Sequence, residues 1–228
     1  MKIISWNCNL KFEKKFEMIE SFNPDICFIQ ECEDLPLDFF PDYRYFWTGR
    51  NSKKGLGILT KDKNAFIDEN HNEKLINFLP VNANRMKLLG VWAYNHRAVK
   101  FGTEFNGNTI DAIDFYKPWL GSSDQALISG DLNNSVIWDK PGNRNNLVEI
   151  NSQLETIGFS SSYHSLTGEV FGEESKATLF HTKNESKNYH IDYIFTKGIA
   201  PVSLDVGSYE DWIKASDHMP LILSIENQ

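Results

Sequence analysis

The sequence predicts an α/β fold of two β-sheets flanked by helices, and three observations carry that expectation. Short apolar runs of strand length recur, among them Ile3-Ile4, Ile26-Cys27-Phe28-Ile29 and Ala126-Leu127-Ile128. Between them lie segments whose apolar residues return at helical spacing. The last third is rich in strands, which breaks the regular strand–helix alternation of a doubly wound sheet and points to two sheets instead. A hydrophobic fraction of 41% and an aromatic fraction of 13% supply a sizeable core, so a disordered chain is not expected. No internal repeat, linker or low-complexity stretch divides the 228 residues, and one domain over 1–228 follows.

Lys2–Asn7 reads as the first strand, with Ile3, Ile4 and Trp6 apolar. Phe12, Phe16 and Ile19 then mark an amphipathic helix over Lys11–Phe22, which Asn23-Pro24 stops. Asp25–Glu31 is a second buried strand closing on a carboxylate, so the chain opens with a βαβ unit. Tyr43–Trp47 and Gly55–Thr60 read as antiparallel neighbours joined by the basic segment Arg50–Lys54. Short strands are expected around Phe66 and over Ile76–Leu79, and a longer one over Met86–Tyr94 that ends on Asn95-His96-Arg97. Helices are expected over Thr109–Leu120 and over Leu147–Ile157, the second ended by Gly158. Strands over Thr178–Phe180, Tyr189–Thr196, Val202–Val206 and Pro220–Ile225 complete the chain.

The formal net charge of −8 leaves no broadly basic surface for nucleic acid, although a local patch fits within it. An acidic protein still handles phosphates where metal ions bring the positive charge. Cys8, Cys27 and Cys32 are sparse, odd in number and without metal-type spacing, which fits reduced structural thiols. The first residues show no long apolar targeting segment, and no stretch is long enough to span a bilayer. A cytoplasmic protein without membrane contact is expected, and nothing indicates an obligate protein partner.

The chemistry gathers where strands end. Ile128-Ser129-Gly130-Asp131-Leu132-Asn133 carries a buried run into a carboxylate and, two residues on, an amide. In extended chain Asp131 and Asn133 share a face; as a turn, the same Gly, Asp and Asn are ordinary formers. Other strands close on Asn7, Glu31 and His96, and Asp217-His218 precedes the last one. Within Tyr189–Phe195, His190 and Asp192 fall on one face and the aromatics on the other. A carboxylate among such neighbours needs a histidine, a basic group or a metal as partner. Bland readings stand beside these: Asn7 as a simple strand end, Asp217 as a cap of the turn before Pro220, Trp138 as packing or exposure rather than a base-stacking face.

Five segments together resemble the endonuclease/exonuclease/phosphatase superfamily, the DNase I-like and exonuclease III-like fold. They are Ile4-Ser5-Trp6-Asn7, Asp25–Glu31, Ser129-Gly130-Asp131-Leu132-Asn133, Ile191-Asp192-Tyr193-Ile194-Phe195 and Ser216–Leu221, in the family's order. The resemblance implies a four-layer α/β sandwich, two mixed β-sheets packed face to face and flanked by helices. It implies a phosphodiesterase dependent on a divalent metal, Mg²⁺ or Mn²⁺, acting on nucleic acid or another phosphoester. Glu31 is then the metal ligand with Asn7 beside it, and Asp217 lies near the metal. His218 is the general base or a phosphate contact, oriented by Asp192. Asp131 positions the nucleophile or protonates the leaving oxygen, Asn133 holds the phosphate or the water, and His96 donates to the phosphate or acts as acid. His190, Arg97 and Arg144 are placed to touch substrate. The same fold also serves small-molecule or lipid-headgroup phosphoesters and non-catalytic binding modules.

Overall fold

The computed structural model describes residues 1–93 and 108–226. Its first sheet holds β1 (Lys2–Asn7), β2 (Ile26–Cys32), β3 (Arg44–Asn51), β4 (Lys54–Thr60), β13 (Pro201–Val206) and β14 (Leu221–Ile225), in the order β13-β14-β1-β2-β4-β3. The second holds β5 (Phe66–Ile67), β6 (Phe78–Ala83), β7 (Met86–Trp92), β8 (Ala126–Asp131), β9 (Phe159–Ser161) and β12 (Asp192–Lys197), in the order β5-β6-β7-β8-β12-β9. Both sheets are mixed: β1 runs parallel to β2 and β7 parallel to β8, while the other pairs are antiparallel. Each parallel pair is bridged by a helix, α1 (Phe16–Glu20) and α2 (Thr109–Gly121), the crossover that parallel neighbours require.

Strand alternation sorts the core into layers. Ile3, Phe28, Ile58, Leu88, Leu127, Ile194 and Leu221 meet between the sheets. Ile4, Cys27 and Ile29 face outward with Phe12, Phe16 and Ile19 of the first helical segment. Leu89, Ile128 and Phe195 face the other way, under α2 and α3 (Leu147–Glu155). Helix, sheet, sheet and helix are thus stacked as a four-layer α/β sandwich, as the sequence led us to expect.

The differences have local causes. The Lys11–Phe22 helix is broken at Lys15, whose φ of −121° separates a 3₁₀ turn, Phe12–Lys14, from α1. Lys15 turns its ammonium onto the carbonyls of Cys8, Leu10 and Ala215, tying the loop after β1 to the loop before β14. The expected Tyr189–Thr196 strand is split into β11 (Asn188–Tyr189), paired with β10 (Leu179–Phe180), and β12. Between them the backbone N–H groups of Ile191 and Asp192 donate to the Thr178 hydroxyl instead of to a ladder. The strand expected at Ile76–Leu79 lies further on as β6, and β9, α4 (Ser162–Thr167) and α5 (Tyr209–Trp212) had no clear sequence signal. No helix among the described residues is long and apolar enough to cross a membrane.

Candidate active site

Going outward between the sheets, the residues turn from apolar to hydroxyl and amide, then to charge. Beyond the Ile3–Phe28–Leu127 level come Ser5, Gln30 and Ser129, all buried. One alternation further lie Asn7 on β1 and Asp131 on β8, with Asp192 opening β12 opposite Asp131 in register.

These groups form one line, buried from Asp192 to Asn7 and half-buried at its Glu31 end. His218 Nδ1 lies 2.9 Å from Asp192 Oδ2, and its Nε2 lies 4.0 Å from Asp131 Oδ2. The Asn7 amide donates to that same Asp131 oxygen at 3.0 Å and reaches Glu31 Oε1 at 3.5 Å. Burial disfavours a charged His218, but the Asp192 and Asp131 carboxylates outweigh it and hold the imidazole up, at about 10. Burial and the Asp192 charge push Asp131 up to about 7, against the opposing pull of His218, Asn7 and Asn133. Asp131, Asp192 and His218 are also the one group among the described residues whose ligating atoms all lie within 4.8 Å of one another.

Each side chain is delivered by a specific backbone device. Glu31 sits in a β-bulge with φ 61°, where the β2–β4 register shifts between Gln30 and Cys32. Without the extra residue, alternation would send Glu31 to the outer face; the bulge swings it toward Asn7. Asn133, at φ 47°, does not continue the strand, so it reaches Asp131 through a turn rather than by alternation. Its N–H donates to Asp131 Oδ1 at 2.9 Å, and its amide donates to the Ala93 carbonyl at 2.8 Å. Ser216 donates its hydroxyl to the Asn7 carbonyl and accepts the His218 N–H, and Trp6 donates its indole N–H to the His218 carbonyl. Asn9 bridges Asn7 Oδ1 and Asp217 Oδ1.

Three further expectations fare differently. His190 does not share a face with Asp192, because the strand breaks between Tyr189 and Asp192. Its ring is buried against Tyr163 and Tyr193, its Nδ1 lies 2.7 Å from the Lys176 carbonyl, and it presents no surface to a substrate. Arg144 turns away from the line and pairs with Asp111 and Asp114 of α2. His96 and Arg97 lie outside the described residues.

Two partners escaped sequence reading. Lys54 places its ammonium 3.0 Å from Glu31 Oε2 and 5.0 Å from the centre of the Trp92 ring. A lysine in a basic turn gives no hint of that pairing. Thr178 is fully buried, and its hydroxyl accepts the N–H of both Ile191 and Asp192 while its carbonyl accepts the N–H of Met219. It therefore ties Asp192 and His218 together from behind. A threonine at the head of the expected Thr178–Phe180 strand carries no sequence signal of this role.

Comparison with known proteins agrees with this architecture. The family model described as Endonuclease/Exonuclease/phosphatase family matches residues 4–218. A 3′ phosphatase, NExo (D146N), from Neisseria, solved bound to product DNA hairpin, is similar over 100% of both chains, at 14% identity and a TM-score of 0.75. An AP endonuclease from Archaeoglobus fulgidus is similar over 100% of both chains, at 15% identity and a TM-score of 0.71. Among curated proteins, none matches. The five segments, the two face-to-face mixed sheets and the match over nearly the whole chain agree: this chain belongs to the endonuclease/exonuclease/phosphatase family.

Proposed function

We propose that this protein is a divalent-metal-dependent phosphodiesterase that hydrolyses nucleic acid. The observation that supports it most is the line Asp192–His218–Asp131–Asn7–Glu31, which brings three carboxylates and one imidazole together, buried from Asp192 to Asn7 and partly exposed at Glu31. A scaffold that only binds has no use for so much buried charge. The two neighbours described as a DNA-bound 3′ phosphatase and an AP endonuclease support nucleic acid over a small-molecule or lipid phosphoester.

The donor set fits Mg²⁺ or Mn²⁺, which prefer hard oxygens and retain several waters. Glu31 and Asn7 would hold the ion, with Asp217 reached through Asn9. Lys54, with its side chain 35% exposed, already sets a positive charge against Glu31, and so stands in for a cation there. The Asp131–Asp192–His218 trio is a poorer metal site, because His218 Nδ1 is already taken up by Asp192 Oδ2 at 2.9 Å and its Nε2 faces Asp131 Oδ2 at 4.0 Å. When bound, the metal supplies Lewis-acid charge to the phosphoryl oxygens and to the leaving alkoxide.

The chain's own groups do the rest. His218, kept cationic by Asp192, donates from Nε2 to a phosphoryl oxygen and neutralises charge as it develops. Asp131, poised near 7, moves the proton, either taking it from the attacking water or giving it to the leaving oxygen. Asn133, whose amide is held by Ala93 and Asp131, holds the attacked phosphate or the attacking water. Asn7 spans the metal end and the proton-transfer end of the line, fixing their separation.

The test is turnover of bis(4-nitrophenyl) phosphate, plasmid, abasic duplex, single-stranded RNA, nucleotides and phosphoinositides, with and without Mg²⁺ or Mn²⁺. Turnover should require the ion and favour nucleic acid. His218→Ala should lose roughly 10²–10³-fold, the scale of removing one charge-stabilising donor. Glu31→Gln should raise the half-saturating metal concentration while leaving the thermal midpoint within a few degrees. Wild-type protein inert on every substrate, or His218→Ala as active as wild type, overturns the proposal.

A further inference from the structure

Beside Asn133 opens a cleft of about 490 Å³ that the catalytic reading does not use. It lies within the span of ordinary small-molecule sites, about 300–1,000 Å³. Asn133, Trp138, Lys140, Asn143 and Asn145 line it, and no acidic side chain among the described residues does, although the whole chain carries a net charge of −8. Lys140 makes no ion pair among the described residues.

The cleft is a built structure rather than a slack loop. Asn134 donates to the Asn145 carbonyl at 2.7 Å, and Asn146 clasps Lys140 through both its N–H and its carbonyl. Asp139 accepts the first two N–H groups of α3, fixing the chain next to Trp138. Trp138 rests against Tyr189, with ring centres 5.0 Å apart and planes tilted by 55°, and stays 40% exposed, so its indole is held on one side while part of it remains accessible.

Its polarity has a definite sense. The Asn143 oxygen accepts the Asn145 N–H, and the Asn145 oxygen accepts the Ile110 N–H. Those backbone donors fix which end of each amide is oxygen. Among the described residues, the two amide nitrogens and the Lys140 ammonium are left as donors. The complementary ligand is flat, rich in acceptors and anionic at one edge. A nucleobase with its phosphate meets all three conditions; a lipid tail or a free cation meets none.

We propose that this cleft is a nucleoside subsite of the same active site, in which Trp138 stacks on an unpaired base, the Asn143 and Asn145 amides meet its acceptors, and Lys140 meets a flanking phosphate. It rests on the phosphodiesterase reading, because Asn133 is at once its inner wall and a partner of Asp131. The consequence is a preference for substrates with an unpaired base next to the cleaved phosphate, since stacking accepts any base but needs a base.

Binding of a fluorescein-labelled single-stranded oligonucleotide is measured by anisotropy in EDTA, against an oligonucleotide of equal length built from abasic residues. Wild-type protein should bind the base-bearing strand about tenfold or more tighter. Trp138→Ala should erase that preference and Trp138→Phe should restore most of it. Lys140→Gln should weaken both strands alike and reduce the salt slope by about 0.7. Equal affinity of the wild type for the two strands, or an undiminished preference in Trp138→Ala, overturns the subsite. The two readings fail separately: base preference without turnover of any phosphoester sinks the catalytic reading alone, and metal-dependent turnover without base preference sinks the subsite alone.

Discussion

The Thr178 hydroxyl serves two backbone donors in a place with no room for a substitute. Ile191 and Asp192 both give it their N–H at 3.0 Å, and the Thr178 carbonyl takes the Met219 N–H at 2.7 Å. Thr178→Val keeps the shape and removes the acceptor, leaving two buried donors unpaired at a cost of about 1–3 kcal/mol each. Because those donors belong to the segment that aims Asp192 at His218, kcat should fall at least tenfold while KM changes little, and Thr178→Ser should recover most of it. A Thr178→Val protein with a lowered thermal midpoint and unchanged kcat would make Thr178 purely structural. Glu31 shows the same dependence on distant neighbours: its carboxylate is shared between Asn7 from β1 and Lys54 from β4, and neither is near it in sequence.

At the scale of single elements, β8 and β2 do the aiming, each through one unusual backbone position. Gly130 has φ 146°, and a Cβ there would sit 1.8 Å from the Val91 carbonyl oxygen. Only glycine lets β8 lie this close to β7 while presenting Asp131 to the groove. Gly130→Ala must break the parallel β7–β8 pairing or displace Asp131, and a loss of about 3 kcal/mol or more is expected, checked by denaturant unfolding and by yield of folded protein. Full stability with full turnover would show that the strand tolerates a side chain. In β2 the bulge at Glu31 does what alternation forbids, moving a carboxylate from the outer face to the inner groove. That is why sequence periodicity found the strand but gave no reason for its last carboxylate to face Asn7.

Over the whole molecule, charge is rationed. The net charge is −8, and the cleft beside Asn133 is free of acids and holds one unpaired lysine among the described residues. Few phosphates are therefore neutralised on binding. The slope of log K against log salt for single-stranded DNA in EDTA should be no steeper than about −3, because each phosphate contact adds about −0.7. A slope near −6 would reveal more phosphate contacts than this cleft can supply. The sandwich itself imposes the site's position. Its interior runs from Ile3, Phe28 and Leu127, through buried Ser5, Gln30 and Ser129, to Asn7, Asp131 and Asp192, so polarity rises toward one rim of the two sheets.

Much of this was legible in the residues alone. Apolar runs and their periods marked most strands and the two longer helices, because burial on one or both faces imposes those periods whatever the topology. The same runs end on Asn7, Glu31 and Asp131, and Asp192 stands inside another apolar segment, which announced a polar rim. What the sequence could not decide was contact between segments far apart in the chain. The alternation that placed His190 beside Asp192 failed because Thr178 captured the intervening N–H groups, and Arg144 turned to α2 because two acids stood there. Period and composition are local and survive in any one segment; a hydrogen bond across 14 residues, or across the 124 that separate Asn7 from Asp131, exists only once the sheets have closed.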